Sequence, residues 1–199
     1  MLEIIGKVVK VIGPVVHAGG VKSAKMLDLV EVGEDHLVGE IVKLEGERAS
    51  IQVYEDTTGL APGADVYSSG APLSVELGPG LIGTIYDGIQ RPLEIIRERT
   101  GQYIQKGLHI SSLDHEVTWK FEPLLESGVE VRGGEIIGRV QETELIEHRI
   151  LIPPGVKGRL EWVAQGGEYR VVDTVGRVVD AEGEETEVKM SQRWPVREG

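Results

Sequence analysis

The sequence contains no cysteine among its 199 residues. This absence excludes disulfide bonds, zinc sites with thiolate ligands and a cysteine nucleophile. Aromatic residues are also scarce, with a single phenylalanine, so a hydrophobic core has to be built mainly from valine, isoleucine and leucine. Because β-branched residues favour strands, this composition predicts a mainly β protein.

Long apolar runs and excess positive charge are absent as well. No segment approaches the ~18 consecutive apolar residues of a membrane-spanning helix, and residues 1–7 lack the basic and then apolar layout of a signal peptide. The formal charge is −12, from 33 acidic and 21 basic residues. Since an acidic chain repels phosphate backbones, we expect no nucleic-acid partner. The lack of long apolar runs predicts no direct membrane span.

Glycine and proline are abundant, with 27 and nine residues, which predicts many tight turns. Between these turns, strand-like patterns cover residues 4–16, 25–32, 36–45, 49–54 and 64–67. In residues 25–32, Met26, Leu29 and Val32 are the apolar positions of the alternation, and Asp28 and Glu31 are the polar ones. Short, evenly spaced strands predict a small closed β-barrel over residues 1–69, because closure removes exposed strand edges.

The segment 73–93 contains the only resemblance to a phosphate-binding motif. Gly78, Gly80 and Gly83 form a G-x-G-x-x-G pattern after a strand-like segment, and Glu98 lies roughly where a ribose-binding acid would be. A dinucleotide fingerprint has this spacing, so a dinucleotide-dependent enzyme is one hypothesis.

The context of these glycines favours a structural turn instead. The fingerprint needs a helix that begins at the third glycine, and Gly88 and Pro92 follow too closely for that helix. Pro79 also removes a backbone N–H that a phosphate loop would offer. We therefore assign no cofactor-binding residue and expect no cofactor in this chain.

Residues 70–112 are predicted to form a connector with one helix near 92–106. Proline suits a first helical position, and Leu93, Ile96 and Tyr103 can share one face. Gly101 weakens the pattern, so the helix could end there.

Strand patterns return in the second half of the chain and predict a second β-rich module over residues 113–189. They cover residues 117–121, 135–141, 148–152, 157–163, 169–172 and 175–179. The phrases GVEVRGGEIIGRV (128–140) and ILIPPGVKGRL (150–160) resemble the hairpins of lipoyl-like barrel-sandwich domains. An acidic turn is expected over residues 180–187, and an extended tail over 190–199.

Candidate metal and catalytic residues are few. The histidines are scattered, at His17, His36, His109, His115 and His148. Asp114, His115 and Glu116 are consecutive, and three consecutive side chains of a strand cannot all converge on one ion. We therefore assign no metal ligand.

Two pairs of adjacent carboxylates, Glu55 with Asp56 and Glu184 with Glu185, lie in polar turns. A catalytic acid and base need a cleft that separates their pKa values, so we assign no catalytic residue. Lys189, between Val188 and Met190, matches the apolar neighbours of a biotin- or lipoyl-carrier lysine, although it lies at the end of the module. A stand-alone β-barrel or barrel-sandwich module that binds or carries a group therefore stays open as an alternative.

Several long phrases carry a resemblance to a known family. IQVYEDTTGL (51–60) and PLSVELGPGLIGTIYDGIQRPL (72–93) resemble the N-terminal part of the catalytic A subunit of archaeal and vacuolar-type (A/V-type) ATP synthases. Shorter phrases at 140–143, 148–150, 152–155 and 192–197 resemble later parts of the same polypeptide. The resemblance extends from Ile4 to about Arg197.

This resemblance implies an N-terminal β-barrel in the crown of a hexameric head and an inserted bulge, the non-homologous region, at about 113–189. In the family, ATP synthesis or hydrolysis is coupled to proton or sodium transport, with ATP or ADP and Mg bound by the full-length polypeptide. The family's catalytic P-loop and glutamate follow the Trp-Pro-Val-Arg phrase, so none is expected in this chain. The implied partners are B subunits and neighbouring head and stalk subunits of a cytoplasmic, membrane-peripheral complex.

Overall fold

A computed structural model describes residues 2–101 and 106–197. Within these ranges the chain forms sixteen strands and one helix. The described residues divide into two compact units. The barrel unit comprises residues 2–75, 94–101, 106–110 and 194–197, and the sandwich unit comprises residues 76–93 and 111–193.

The barrel unit contains six antiparallel strands that close in the order β1-β2-β5-β4-β3-β6. Their bounds are β1 (Glu3–Ile12), β2 (Val15–Gly19), β3 (Asp28–Val32), β4 (Leu37–Glu45), β5 (Arg48–Val53) and β6 (Asp65–Pro72). β6 closes the barrel because it pairs with both β1 and β3. The strand pattern over residues 4–16, which Gly13 and Pro14 interrupt in the sequence, forms two strands that are separated by a turn at these two residues.

The barrel core consists mostly of β-branched side chains on alternating positions. Val16, Val30, Ile41, Ile51 and Val66 are fully buried. The two-residue period of a strand explains this pattern, since alternate side chains point to opposite faces.

The predicted division of β3 into apolar and polar positions is wrong at its start. Met26 is 44% exposed, whereas Asp28 is buried. The Asp28 carboxylate accepts the backbone N–H of Lys25 at 2.8 Å, which satisfies a polar group inside the barrel wall. The buried face of this strand consists of Asp28, Val30 and Val32.

The helix α1 (Leu93–Thr100) is shorter than predicted. It begins directly after Pro92 and ends before Gly101, whose φ of +76° is typical of a glycine that terminates a helix. Lys106 lies in a turn, so of the two predicted ends the one near 106 is wrong and the one at Gly101 is confirmed. Tyr103 lies outside the described residues, and the described helix is too short to span a membrane.

The sandwich unit contains two four-stranded sheets, ordered β11-β10-β8-β13 and β15-β14-β12-β9. Their strands are β8 (Thr118–Pro123), β9 (Glu130–Arg132), β10 (Ile136–Gln141), β11 (Glu147–Leu151), β12 (Lys157–Val163), β13 (Gly167–Arg170), β14 (Thr174–Val179) and β15 (Glu185–Lys189). The remaining two strands of the described residues are β7 (Ser74–Leu77) and β16 (Gln192–Pro195), which pair with each other.

Two of these strands, β9 and β15, have no bounds of their own in the sequence-based prediction: β9 lies within the hairpin-like phrase at 128–140, and β15 is the strand expected after the acidic turn. β15 begins at Glu185, so the predicted acidic turn over 180–187 ends earlier than expected. Its residues Glu185 and Glu187 face solvent while Val188 is buried, and the high charge hides this short amphipathic strand. The tail predicted as extended contains β16.

The core of the sandwich unit draws on both sheets. Phe121 and Ile150 come from one sheet, and Leu160 and Val188 from the other; all are buried. The predicted fold class, mainly β with an N-terminal barrel, one short helix and a barrel-sandwich-like module, is confirmed by this architecture.

Candidate functional site

The glycine-rich loop, defined as residues 78–82, belongs to the sandwich unit. The next helix begins only at Leu93, so no helix begins at the third glycine of the G-x-G-x-x-G pattern, as a dinucleotide fingerprint requires. A Cβ on Gly78 would lie 3.2 Å from the backbone of Ser191. Gly80 and Gly83 have φ of +105° and +91°, a region that favours glycine. Close approach and backbone conformation account for all three glycines.

A carboxylate of the protein itself occupies this loop. Oε1 of Glu142 accepts the backbone N–H of Gly80 at 2.8 Å and that of Ile82 at 3.1 Å. Its Oε2 lies 3.5 Å from Nδ1 of His148, and the Glu142 side chain is only 3% exposed. The loop therefore presents N–H groups to an anion, as a phosphate loop does, but the anion is an internal side chain.

Burial lowers the pKa of His148, and the charge and hydrogen bond of Glu142 oppose this shift. The buried position thus favours a neutral imidazole beside the carboxylate. Burial also raises the pKa of the nearby Tyr86 phenol. A hydrogen bond with Thr84 opposes this shift, and the charges of Glu142 and Glu76 make smaller contributions that raise the pKa.

A second carboxylate, Glu76, bonds the start of the segment 76–93 to another part of the sandwich unit. Its Oε2 accepts the hydroxyl of Ser112 at 3.1 Å, and its Oε1 lies 3.0 Å from Nε2 of His115. The side-chain amide of Gln90 bonds both the N–H and the carbonyl of Glu76, each at 2.7 Å. These bonds satisfy a buried acid without an external ligand.

The consecutive residues Asp114, His115 and Glu116 diverge. Asp114 accepts the backbone N–H of Glu116 at 2.9 Å, whereas His115 contacts Glu76 and Glu116 lies 3.8 Å from Arg170. Residues 2–101 and 106–197 contain no group of three or more His, Asp or Glu side chains arranged for a metal ion.

The adjacent carboxylates also have separate partners. Glu55 accepts the backbone N–H of Val38 at 3.1 Å. Hydrogen bonds donated by Thr58 are the main cause of the lowered pKa of Asp56, and Lys106 lowers this pKa to a smaller extent. Asp56 stabilises its own turn, and Glu55 bonds to the start of β4.

At the second pair of adjacent carboxylates, the N–H of Glu184 donates to Asp180 at 2.8 Å. Glu185 lies 3.4 Å from Arg177 on the neighbouring strand. Lys189 is the last residue of β15, paired with Thr174 and 3.8 Å from Glu187, so it lies in a strand rather than at a hairpin turn.

The barrel unit has its own buried carboxylate. The Glu40 side chain is 3% exposed and accepts the Tyr54 hydroxyl at 2.9 Å and Nη2 of Arg197 at 2.5 Å. Sequence analysis identified neither Glu40 nor Glu142. No local pattern marks them, because their partners are far away in the sequence.

The chain is thus a protein of two β modules, a closed barrel and a two-sheet sandwich. In the sandwich, the side chain of Glu142 occupies the loop that resembles a phosphate-binding loop. Residues 8–70 match the beta-barrel domain of the ATP synthase alpha/beta family, and residues 110–197 match the ATP synthase alpha/beta subunit barrel-sandwich domain. The chain therefore belongs to the ATP synthase alpha/beta family, and it resembles the N-terminal part of the A subunit of the A-type and V-type enzymes.

Its relatives are large proteins of which it matches a part. The chain is 52% identical over 195 residues to the A subunit of the A-type ATP synthase of Hyperthermus butylicus, and 54% identical over 193 residues to that of Metallosphaera sedula. It is 50% identical over 192 residues to the V-type ATP synthase alpha chain of a Thermoanaerobacter species. Each match covers 96% of this chain and 32% of the relative, so the chain spans about a third of these proteins.

Proposed function

We propose that this chain is the structural and assembly portion of the A subunit of an A-type or V-type ATP synthase. The observation that carries the proposal is an identity of about one half over 96% of the chain to proteins of that name. The complete polypeptide would couple ATP synthesis or hydrolysis to proton or sodium transport and would bind ATP or ADP with Mg. The 199-residue portion contributes scaffold rather than catalysis.

The proposed organisation keeps the boundaries that the sequence analysis predicted. In this proposal residues 1–69 form the barrel of the crown, residues 70–112 connect the barrel to the bulge, residues 113–189 form the bulge, and residues 190–199 form the extended tail. In this proposal the chain works in the cytoplasm, in a complex bound peripherally to the cell membrane. Its partners are B subunits and neighbouring head and stalk subunits.

The outer side of β1 offers a surface for such a partner. Ile4, Val9 and Ile12 of β1 are 61%, 62% and 50% exposed, and Leu2, directly before the strand, is 45% exposed. Exposed apolar side chains lose contact with water when a neighbouring barrel covers them, which stabilises the association by roughly 25 cal/mol per Å² of apolar surface. These side chains are therefore our candidate contact within a ring of barrels.

The experiment measures association of the 199-residue chain with the B subunit of the same source by sedimentation velocity. We expect a complex at a concentration of about 100 µM, where even a weak interface is populated. Ile4→Glu and Val9→Glu are expected to weaken the complex at least about tenfold, since each buries a charge in an apolar contact.

Leu145→Glu is the matched control, because Leu145 is 95% exposed but lies in the sandwich unit. It is expected to leave the association unchanged. A chain that forms no complex at that concentration, or that loses it equally in all three variants, would contradict the assembly role of β1.

A further inference from the structure

The turn between β10 and β11, residues 142–146, holds the backbone of Glu142 in one position. The carbonyl of Ile146 accepts the N–H groups of Glu142 and Thr143 at 3.0 and 3.2 Å. The hydroxyl of Thr143 accepts the N–H of Ile146 at 3.1 Å, and the Gln141 amide donates to the Thr143 carbonyl at 2.6 Å. A turn bonded in this way presents the Glu142 side chain in a defined direction.

The glycine-rich loop receives that side chain. Two N–H groups, of Gly80 and Ile82, share Oε1 of Glu142, and charge-assisted bonds of this kind are stronger than bonds between neutral groups. Ile82 itself is 55% exposed, so apolar packing contributes little at that position. The Glu142 carboxylate therefore bonds the distal part of the loop directly to the hairpin.

The remainder of the segment is fastened separately. Glu76 and Gln90 bond to one another across the segment. The carboxylate of Asp87 accepts the N–H groups of Ile89 and Arg91, and it also accepts Nε of Arg91 at 2.7 Å. These ties do not depend on Glu142, so loss of its carboxylate affects the loop while both ends stay fixed.

We propose that Glu142 is a latch: an internal anionic ligand that closes the glycine-rich loop onto the β10–β11 hairpin and whose withdrawal opens the loop. The closed state requires a negatively charged acceptor at this position. The open state frees the Gly80 and Ile82 N–H groups without unfolding the two sheets. The glycine pattern thus serves a movable anion-binding loop whose anion belongs to the chain.

Amide hydrogen exchange of the 199-residue chain, resolved by residue with NMR, tests this latch. Glu142→Ala is expected to accelerate exchange at Gly80 and Ile82 at least about tenfold, as loss of charge-assisted hydrogen bonds implies. Glu142→Gln keeps the size and one oxygen acceptor but removes the charge, so an intermediate acceleration is expected. Glu144→Gln, an exposed carboxylate on the same turn, is the matched control and should change neither amide.

Two results would overturn the latch. Exchange at Gly80 and Ile82 within about twofold of the unmodified chain would show that the carboxylate does not hold the loop. Equal acceleration at the core residues Val140 and Ile150 would show that Glu142 supports the whole unit instead. If the alanine variant fails to fold, the glutamine variant gives the same decision. Neither readout depends on binding to another polypeptide.

Discussion

Gly138 lies at a position where the sandwich core leaves no room for a side chain. This residue lies in β10, and a Cβ at this position would be 2.2 Å from Cε2 and 2.5 Å from Cζ of Phe121. The Glu122 carbonyl oxygen would lie 2.9 Å away. Phe121 is fully buried and packs edge-on against Tyr169, with ring centroids 6.1 Å apart, so the ring has little room to withdraw.

The Gly138→Ala variant should therefore destabilise the sandwich unit strongly for a single methyl group. Overpacking of a core costs about 1–3 kcal/mol, and contact with both a buried ring and a backbone oxygen places this site near the upper value. Phe121→Leu removes the two clashing ring atoms at a cost of about 1–2 kcal/mol in lost packing. In the leucine background the added methyl should cost about 1 kcal/mol, which gives a coupling of about 2 kcal/mol between the two sites.

Urea unfolding measures these free energies through the fluorescence of Trp119 and Trp162, which both lie in the sandwich unit, in a Trp194→Phe background. Gly166→Ala is the matched control. Its Cβ would meet only Phe121 O at 3.7 Å and Pro123 Cδ at 3.9 Å, which is ordinary contact, and we expect a change within about 0.5 kcal/mol.

Two outcomes would refute this reasoning. One is a Gly138→Ala variant as stable as the parent within about 0.5 kcal/mol. The other is strict additivity with Phe121→Leu, because the clash with the ring would then not be the source of the cost. A fall in the m-value would instead indicate a change in how cooperatively the unit unfolds.

Two further variants test the partners of the buried carboxylates Glu142 and Glu40. The pKa of His148 is lowered in the folded chain, so the unfolded chain binds a proton at this imidazole more readily. The stability that a neutral His148 contributes is therefore present above about pH 6.5 and declines as the pH falls through the lowered pKa. His148→Gln should flatten this decline in thermal unfolding between about pH 7 and pH 5, and an unchanged dependence of stability on pH would exclude His148 as its cause. Arg197→Met leaves Glu40 with Tyr54 as its remaining described side-chain partner. Since Arg197 is 56% exposed, we expect urea unfolding to show a loss of about 1–2 kcal/mol in barrel stability. No loss at all would show that solvent replaces the guanidinium.

Much of the fold is readable from local patterns. In β5, Ala49, Ile51 and Val53 are buried on alternate positions, as the two-residue period predicts. The bounds of β12, Lys157–Val163, agree with its strand pattern. Local patterns failed where polar residues mark the strand, as in β15, because charge on the solvent face obscures a short alternation.

The family relationship is also a property of the sequence. Long phrases such as residues 72–93 carry far more information than a three-glycine pattern, and the matches over residues 8–70 and 110–197 agree with them. The exclusion of thiolate chemistry likewise needs only the composition.

What fills the glycine-rich loop was decided only by tertiary structure. The sequence revealed that residues 78–83 must turn, because Gly78, Gly80, Gly83 and Pro79 restrict the backbone. It did not reveal that Glu142, 62 positions beyond Gly80, supplies the anion. The pairing of β10 with β8 and β11 brings that carboxylate to the loop, and backbone N–H groups donate hydrogen bonds to any anion of suitable geometry, whether phosphate or side chain.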